Sequence, residues 1–235
     1  MASSQFITFG AQHGIAAGIA IAGAVALPVA VRAWGTGRVE RAVRWLLATA
    51  CVAYEAGELW WQVHAGLAGL HEALPLHLCD VSILIAPVVL LSANRYAFEL
   101  LYFWGIGGTL QALATPTLWS GFPAPICLLF FAGHGLILAS ALYATVVMRL
   151  RPVPRSVLRV WLVTMAYALV IFLVNLALGT NYLFIRHKPP TPSLLDLLGP
   201  WPWYLLALQP IVVAVLGLCY LPFLVRDRWQ RNHSA

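Results

Sequence analysis

Hydrophobic positions in this chain do not alternate. They run on, in stretches of about twenty residues, separated by short clusters of arginine, proline and aromatic residues. A run of that length crosses a bilayer as a helix, whereas a membrane β-barrel would show short alternating segments. Seven such spans are predicted, at roughly 9–31, 43–65, 75–94, 96–115, 123–148, 157–179 and 201–225. The expected fold is therefore all-α: a polytopic membrane protein built as one seven-helix transmembrane bundle over residues 1–235. No polar stretch is long enough to bury a core of its own.

Charge adds orientation to this picture. The chain carries 14 Lys and Arg against 8 Asp and Glu, a net charge of +6. A basic protein suggests nucleic acid as a partner, but here the basic residues sit between spans, which argues for a topology signal and against nucleic-acid binding. Arg32, Arg38, Arg41, Arg44, Arg95, Arg149, Arg151, Arg155, Arg159, Arg226, Arg228 and Arg231 all fall on one side when seven spans alternate. Only Arg186 and Lys188 fall on the other, so the N-terminus is expected outside and the C-terminus inside. No Lys or Arg precedes the first apolar run, so that run does not read as a cleavable signal peptide. The expected location is within a membrane.

The punctuation within the spans reads mainly as packing. Gly14 and Gly18 form a GxxxG, expected at a close helix contact. Gly105, Gly107 and Gly108 follow no strand and so read as a packing or bending feature, not a phosphate loop. Trp60, Trp61, Trp201, Trp203 and Tyr204 fit an interfacial aromatic belt. Ser193 to Leu198 is expected to form a short helix with Ser193 as N-cap and Asp196 in the capping-box position. Cys51, Cys79, Cys127 and Cys219 all lie in apolar runs, where the default reading of each is a small buried hydrophobe.

Polar groups inside the spans are the chemical signal, because such groups are costly in hydrocarbon. Measured from the nearest basic residues on one side, at about 1.5 Å rise per residue, Cys79, Gln111 and Asn175 each lie roughly 24 Å deep. On the same scale His134 lies about 22 Å, Glu58 about 21 Å and Gln209 about 26 Å deep. Six spans thus contribute a polar or thiol group to one slab, which predicts a polar cavity in the outer half of the membrane. Each member also has a plain structural reading: Cys79 as packing, His134, Gln111 and Asn175 as interhelical hydrogen-bonders. His77 and Asp80 are three residues apart and so share a helix face. Glu55, Glu58, Asp80 and Glu99 each need a partner, a proton or water.

A set of motifs carries a resemblance. LPLHLCD (Leu74 to Asp80), GTLQALATPTL (Gly108 to Leu118), FFAGHG (Phe130 to Gly135), GTNYLF (Gly179 to Phe184) and LLDLLGPWPWY (Leu194 to Tyr204) occur in that order. They resemble the YwaF-like bacterial integral membrane proteins and the animal transmembrane protein 164 family, from about residue 45 to 222. The resemblance implies a cysteine-dependent acyltransferase acting on phospholipid and lysophospholipid, with Cys79 in the nucleophile's place and His134 as its base partner. Asn181 and Tyr182 fall in the family's Asn-Tyr block.

Three functions compete. In lipid acyl transfer, an apolar setting disfavours the thiolate, so Cys79 requires His134 to take its proton. Asn181, Gln111 or Asn175 would donate to the oxyanion, with Tyr182 beside them, and His77 or Asp80 would orient His134. No metal and no cofactor is required. A zinc-dependent hydrolase would draw on His64, His71, His77, Glu58, Glu72 and Asp80, but there is no HExxH spacing and the seventh span has no histidine. A transporter or sensor would use Glu55, Glu58 and Glu99 as a proton path, yet no inverted repeat is visible. The single lysine, Lys188, lies in a loop, which argues against a retinal Schiff base. Oligomeric state stays open.

Overall fold

The fold is taken from a computed structural model, which describes residues 5–66, 69, 73–190 and 193–233. Each predicted span corresponds to one helical segment. They are α1 (Ala11–Trp34), α2 (Gly37–His64), α3 (Leu78–Ser92), a broken fourth segment of α4 (Arg95–Tyr102) and α5 (Thr109–Ala114), then α6 (Pro125–Val146), α7 (Pro154–Leu178) and α8 (Trp203–His233). The only paired strand-like residues among those described are an isolated bridge between Gln5 and Ser120. The protein is all-helical, and α1, α6, α7 and α8 are each long and apolar enough to cross a membrane. α3 is apolar but has 15 residues, short of the length a straight crossing helix needs.

Local chemistry explains the boundaries. Thr36 caps α2 by accepting the Val39 N–H, and Asn94 Oδ1 accepts the N–H groups of Tyr96 and Ala97 at the start of α4. Pro125 and Pro154 open α6 and α7, where a missing N–H costs nothing. α7 ends at Gly179 with φ of 73°, the left-handed cap that glycine adopts without strain. Between α4 and α5 the FWGIGG run, Phe103–Gly108, is π-helical. A Cβ on Gly105 would come within 3.0 Å of Ile137, so this stretch is a packing and bending feature as its glycines suggested.

The chain divides into two compact units, residues 1–150 and 151–235. In the first, α6 is the hub. A core of Ala24, Leu47, Ala48, Leu90, Leu138 and Tyr143 joins α1, α2 and α3 to it. The Tyr143 hydroxyl donates to the Glu40 carbonyl at 2.7 Å, and Arg44 Nε donates to the Leu90 carbonyl at 2.8 Å, in the last turn of α3. His13 Nδ1 accepts the Phe9 N–H while Nε2 meets the Leu113 carbonyl at 2.7 Å, which ties the start of the chain to α5. The acid Glu99 is buried at 1% exposure, with Arg95 one turn away at 4.0 Å.

In the second unit α7 and α8 flank a loop organised by two amides. Asn175 Nδ2 donates to the Tyr182 carbonyl, and its Oδ1 accepts from Tyr182 N–H and Thr180 Oγ1, at 2.8–2.9 Å. Asn181 Nδ2 donates to the carbonyl of His187 and meets its Nδ1, and its Oδ1 accepts the N–H groups of Arg186 and His187. Leu194–Leu198 forms the expected short helix, as a 3-10 turn, with Asp196 Oδ2 accepting the Ser193 N–H at 2.8 Å.

One packing expectation is overturned. Nothing lies within 4 Å of a Cβ placed on Gly14 or Gly18. The GxxxG is therefore not at a contact within the described chain. The close approach of α1 to α6 falls instead at Ala20 and Gly135. The motif encodes a small surface but not the neighbour that meets it.

Candidate functional site

Three helices of the first unit enclose a cavity of about 350 Å3. Helical spacing selects what faces it. From α2 come Tyr54, Glu55, Glu58, Trp61 and Gln62, and from α6 come Ile126, Phe130, Gly133, His134 and Ile137. These intervals of three and four mark one face of each helix. The start of α3 supplies Cys79, Asp80 and Ile83, with His77 just before it, and the connection between α5 and α6 supplies Thr117 and Trp119.

Cys79 is a free thiol at the second residue of α3. At that position its own N–H and that of Leu78 have no carbonyl one turn back within the helix. The positive end of the helix dipole is therefore beside the sulfur. Asp80 supports this end: its carboxylate Oδ2 accepts the His77 N–H at 3.0 Å, closing the first turn.

His134 is fixed by its own helix. Its Nδ1 lies 2.7 Å from the Phe130 carbonyl, one turn back, and the Phe130 ring packs on the imidazole with centroids 4.2 Å apart. A carbonyl oxygen only accepts, so Nδ1 carries the proton. In the neutral ring Nε2 then keeps its lone pair, the form a general base requires.

The remaining walls are acidic and aromatic. Glu55, Glu58 and Asp80 lie near enough to act on one another electrostatically, and among the described residues the lining has no Lys or Arg. Gln62 Nε2 donates to Glu58 at 3.2 Å, and the Tyr54 hydroxyl donates to the Leu129 carbonyl at 3.0 Å.

Of the residues singled out from sequence, Cys79, His134, His77, Asp80, Glu55 and Glu58 thus line one cavity. Gln111 does not; it is exposed on α5 and donates to Thr115 Oγ1 at 3.0 Å. Asn175, Asn181 and Tyr182 belong to the second unit, where their polar groups are spent on the loop described above. The position expected of an orienting partner for His134, at Nδ1, is held by the Phe130 carbonyl. Among the described residues no three His, Cys, Asp or Glu side chains are arranged to hold a metal ion. His71 and Glu72, two of the six zinc candidates, lie outside the described residues.

Sequence reading passed over Tyr54 and Trp119. Tyr54 had a signal, because Tyr54, Glu58 and Trp61 recur at intervals of four and three on a helix that also carries Glu55.

Comparison with known proteins bears on this site. No solved structure matches the chain. A protein of Treponema pallidum (strain Nichols), described as uncharacterized, is 28% identical over 150 residues. The match covers 64% of this chain and 62% of the relative, so the chain spans under two thirds of that relative's length. The profile of the TMEM164 family matches residues 8–220, a stretch that includes every residue lining the cavity. The chain belongs to the TMEM164 family of membrane proteins.

Proposed function

We propose that the protein is a membrane-embedded lipid acyltransferase, with Cys79 as nucleophile and His134 as its general base. The observation that carries this reading is the shared cavity: a free thiol at a helix N-terminus and an imidazole with an unprotonated Nε2 line the same space. His134 Nε2 takes the thiol proton as the Cys79 sulfur attacks the ester carbonyl of a phospholipid. The ester C–O bond breaks, His134 returns the proton to the departing lysophospholipid oxygen, and a thioester remains on Cys79. A second lysophospholipid hydroxyl then gives its proton to His134 and attacks the thioester. The sulfur leaves as the new ester forms and recovers the proton. The N–H groups of Leu78 and Cys79 are better placed to hold the oxyanion than Gln111, Asn175 or Asn181, because backbone donors at a helix N-terminus are preorganised.

The setting belongs to the same proposal. Seven segments cross the membrane as a single bundle, with the N-terminus outside and the C-terminus inside. The one-sided arginines support this orientation, and the bacterial relative supports a cytoplasmic membrane. For α3, local bilayer thinning accommodates the shorter length.

The test is to incubate purified protein with phospholipid carrying a labelled acyl chain, quench in acid, and locate the label by peptide mass spectrometry. A thioester on Cys79, absent from Cys79→Ala, is expected. Label on another residue or on none, or full transfer by folded Cys79→Ala, would refute the assignment. The three carboxyl groups in the cavity favour a second reading, a proton-coupled transporter. On that reading no acyl-enzyme accumulates, and proton uptake depends on Glu55 and Glu58.

A further inference from the structure

Tyr54 sits on α2, yet its side chain is built into α6. Its hydroxyl donates to the Leu129 carbonyl at 3.0 Å. A Cβ on Gly133 would lie 2.4 Å from that hydroxyl oxygen and 2.5 Å from ring carbon Cζ. The ring therefore rests on bare glycine backbone, one residue before His134. No other residue type at 133 leaves room for it.

The two bonds that fix this turn are adjacent. Leu129 and Phe130 are consecutive carbonyls of α6; the first accepts from Tyr54 across the helix contact, the second from His134 Nδ1. Rotation or slippage of the turn would break the first bond and re-aim the imidazole held by the second. Tyr54 is thus attached to the same turn that carries the base, on the cavity face of both helices. Glu55, Glu58, Asp80 and His77 are the other titratable groups lining this space.

We infer that Tyr54 is a positioning residue: clamped over Gly133, it sets the height and rotation of the α6 turn and so the direction in which His134 Nε2 is presented to the cavity. The inference rests on the Cys79–His134 reading above and adds the element that aims the base. Tyr54 is assigned no contact with the reacting atoms, because its hydroxyl is shared between the Leu129 carbonyl and the Glu58 carboxyl group beside it.

The test reads the reactivity of Cys79 directly. Full-length protein in detergent is treated with iodoacetamide, an uncharged reagent, over a pH series, and alkylation of the Cys79 peptide is timed by mass spectrometry. His134→Ala is expected to slow alkylation, which establishes that the base acts on this thiol. Tyr54→Phe, which keeps the ring over Gly133 and removes the bond, is expected to slow it about tenfold, since misplacement of a reacting group by an ångström costs up to about a hundredfold. The double variant should be no slower than His134→Ala alone, as residues acting through one another are not additive. Gly133→Ala, which leaves Tyr54, Cys79 and His134 unsubstituted but drives the tyrosine ring away, should behave like Tyr54→Phe and serves if that variant does not fold. Wild-type alkylation in Tyr54→Phe, or a further tenfold loss in the double variant, would overturn the positioning role while leaving the Cys79–His134 pair standing. No effect of His134→Ala would remove the pair, and this inference with it.

Discussion

Asn175 is buried to 0% exposure, and its amide makes three hydrogen bonds to the loop that follows α7. Asn175→Ala deletes all three. At about 1 kcal/mol each, their loss alone costs about 3 kcal/mol. The partners left behind cannot turn to solvent, because Tyr182 and Thr180 are 3% and 7% exposed. Stranding a buried donor costs about 1–3 kcal/mol, so the total reaches about 4–6 kcal/mol. That is more than two decades in the folding equilibrium. Asn175→Asp is the control. Its neutral acid form accepts from Tyr182 N–H and Thr180 Oγ1 and can donate to the Tyr182 carbonyl, so a cost of about 1 kcal/mol is expected in acid, whereas the ionised form buries a charge against that carbonyl and should cost at least as much as alanine. The assay is reversible unfolding in mixed micelles at rising sodium dodecyl sulfate fraction, followed by tryptophan fluorescence. If Asn175→Ala unfolds within 1 kcal/mol of wild type, the amide is not the loop's anchor. Lost activity in that stable variant would return Asn175 to a chemical role.

Other substitutions separate packing from chemistry. Gly133→Ala should destabilise by about 1–3 kcal/mol through overpacking against Tyr54, while Gly135→Ala, whose Cβ would meet Ala20 at 3.6 Å, should be near neutral in the same assay. Gly14→Ala and Gly18→Ala meet nothing within 4 Å. They should hold or raise stability by up to about 1 kcal/mol each from helix propensity; a fall would show that another chain covers this face. Asp80→Ala should cost about 1 kcal/mol as a lost cap, and Asp80→Asn less, since an amide oxygen still accepts the His77 N–H. Loss of acyl transfer in a stable Asp80→Asn would show that the carboxylate serves more than the cap.

Much of the fold was legible because apolar length is a strong signal. The runs at 9–31 and 157–179 became α1 and α7 within a few residues. The π-helical turn at Phe103–Gly108 was not, since a twenty-residue apolar run hides how its backbone bonds are paired. The glycines marked the place without giving the geometry. The site divides along a similar line. Cys79, His134, Asp80 and the α2 carboxylates stood out as polar groups where polarity is costly, and they do meet in one cavity. Depth alone also selected Gln111 and Asn175, and failed there because equal depth says nothing about which way a side chain faces. Asn175 is claimed by a loop that folds back on it, a contact between residues seven apart that no span-by-span reading contains. Tyr54 escaped for the opposite reason: a tyrosine in an apolar helix reads as core until the glycine beneath it is seen.

The arginine at 44 joins two properties that are usually separable. As a charge it is one of the arginines clustered between the first two apolar runs. As a donor it satisfies the Leu90 carbonyl, which α3 leaves unpaired in its last turn. The residue that places a charge at this end of α2 thus also fastens the helix to its neighbour. The register between α2 and α3 is fixed at the very end where their crossing depth is set. Glu55 and Glu58 on α2 and Cys79 on α3 are measured, in effect, from the same peg. A change at Arg44 would reach the cavity about three to four helical turns away without touching it.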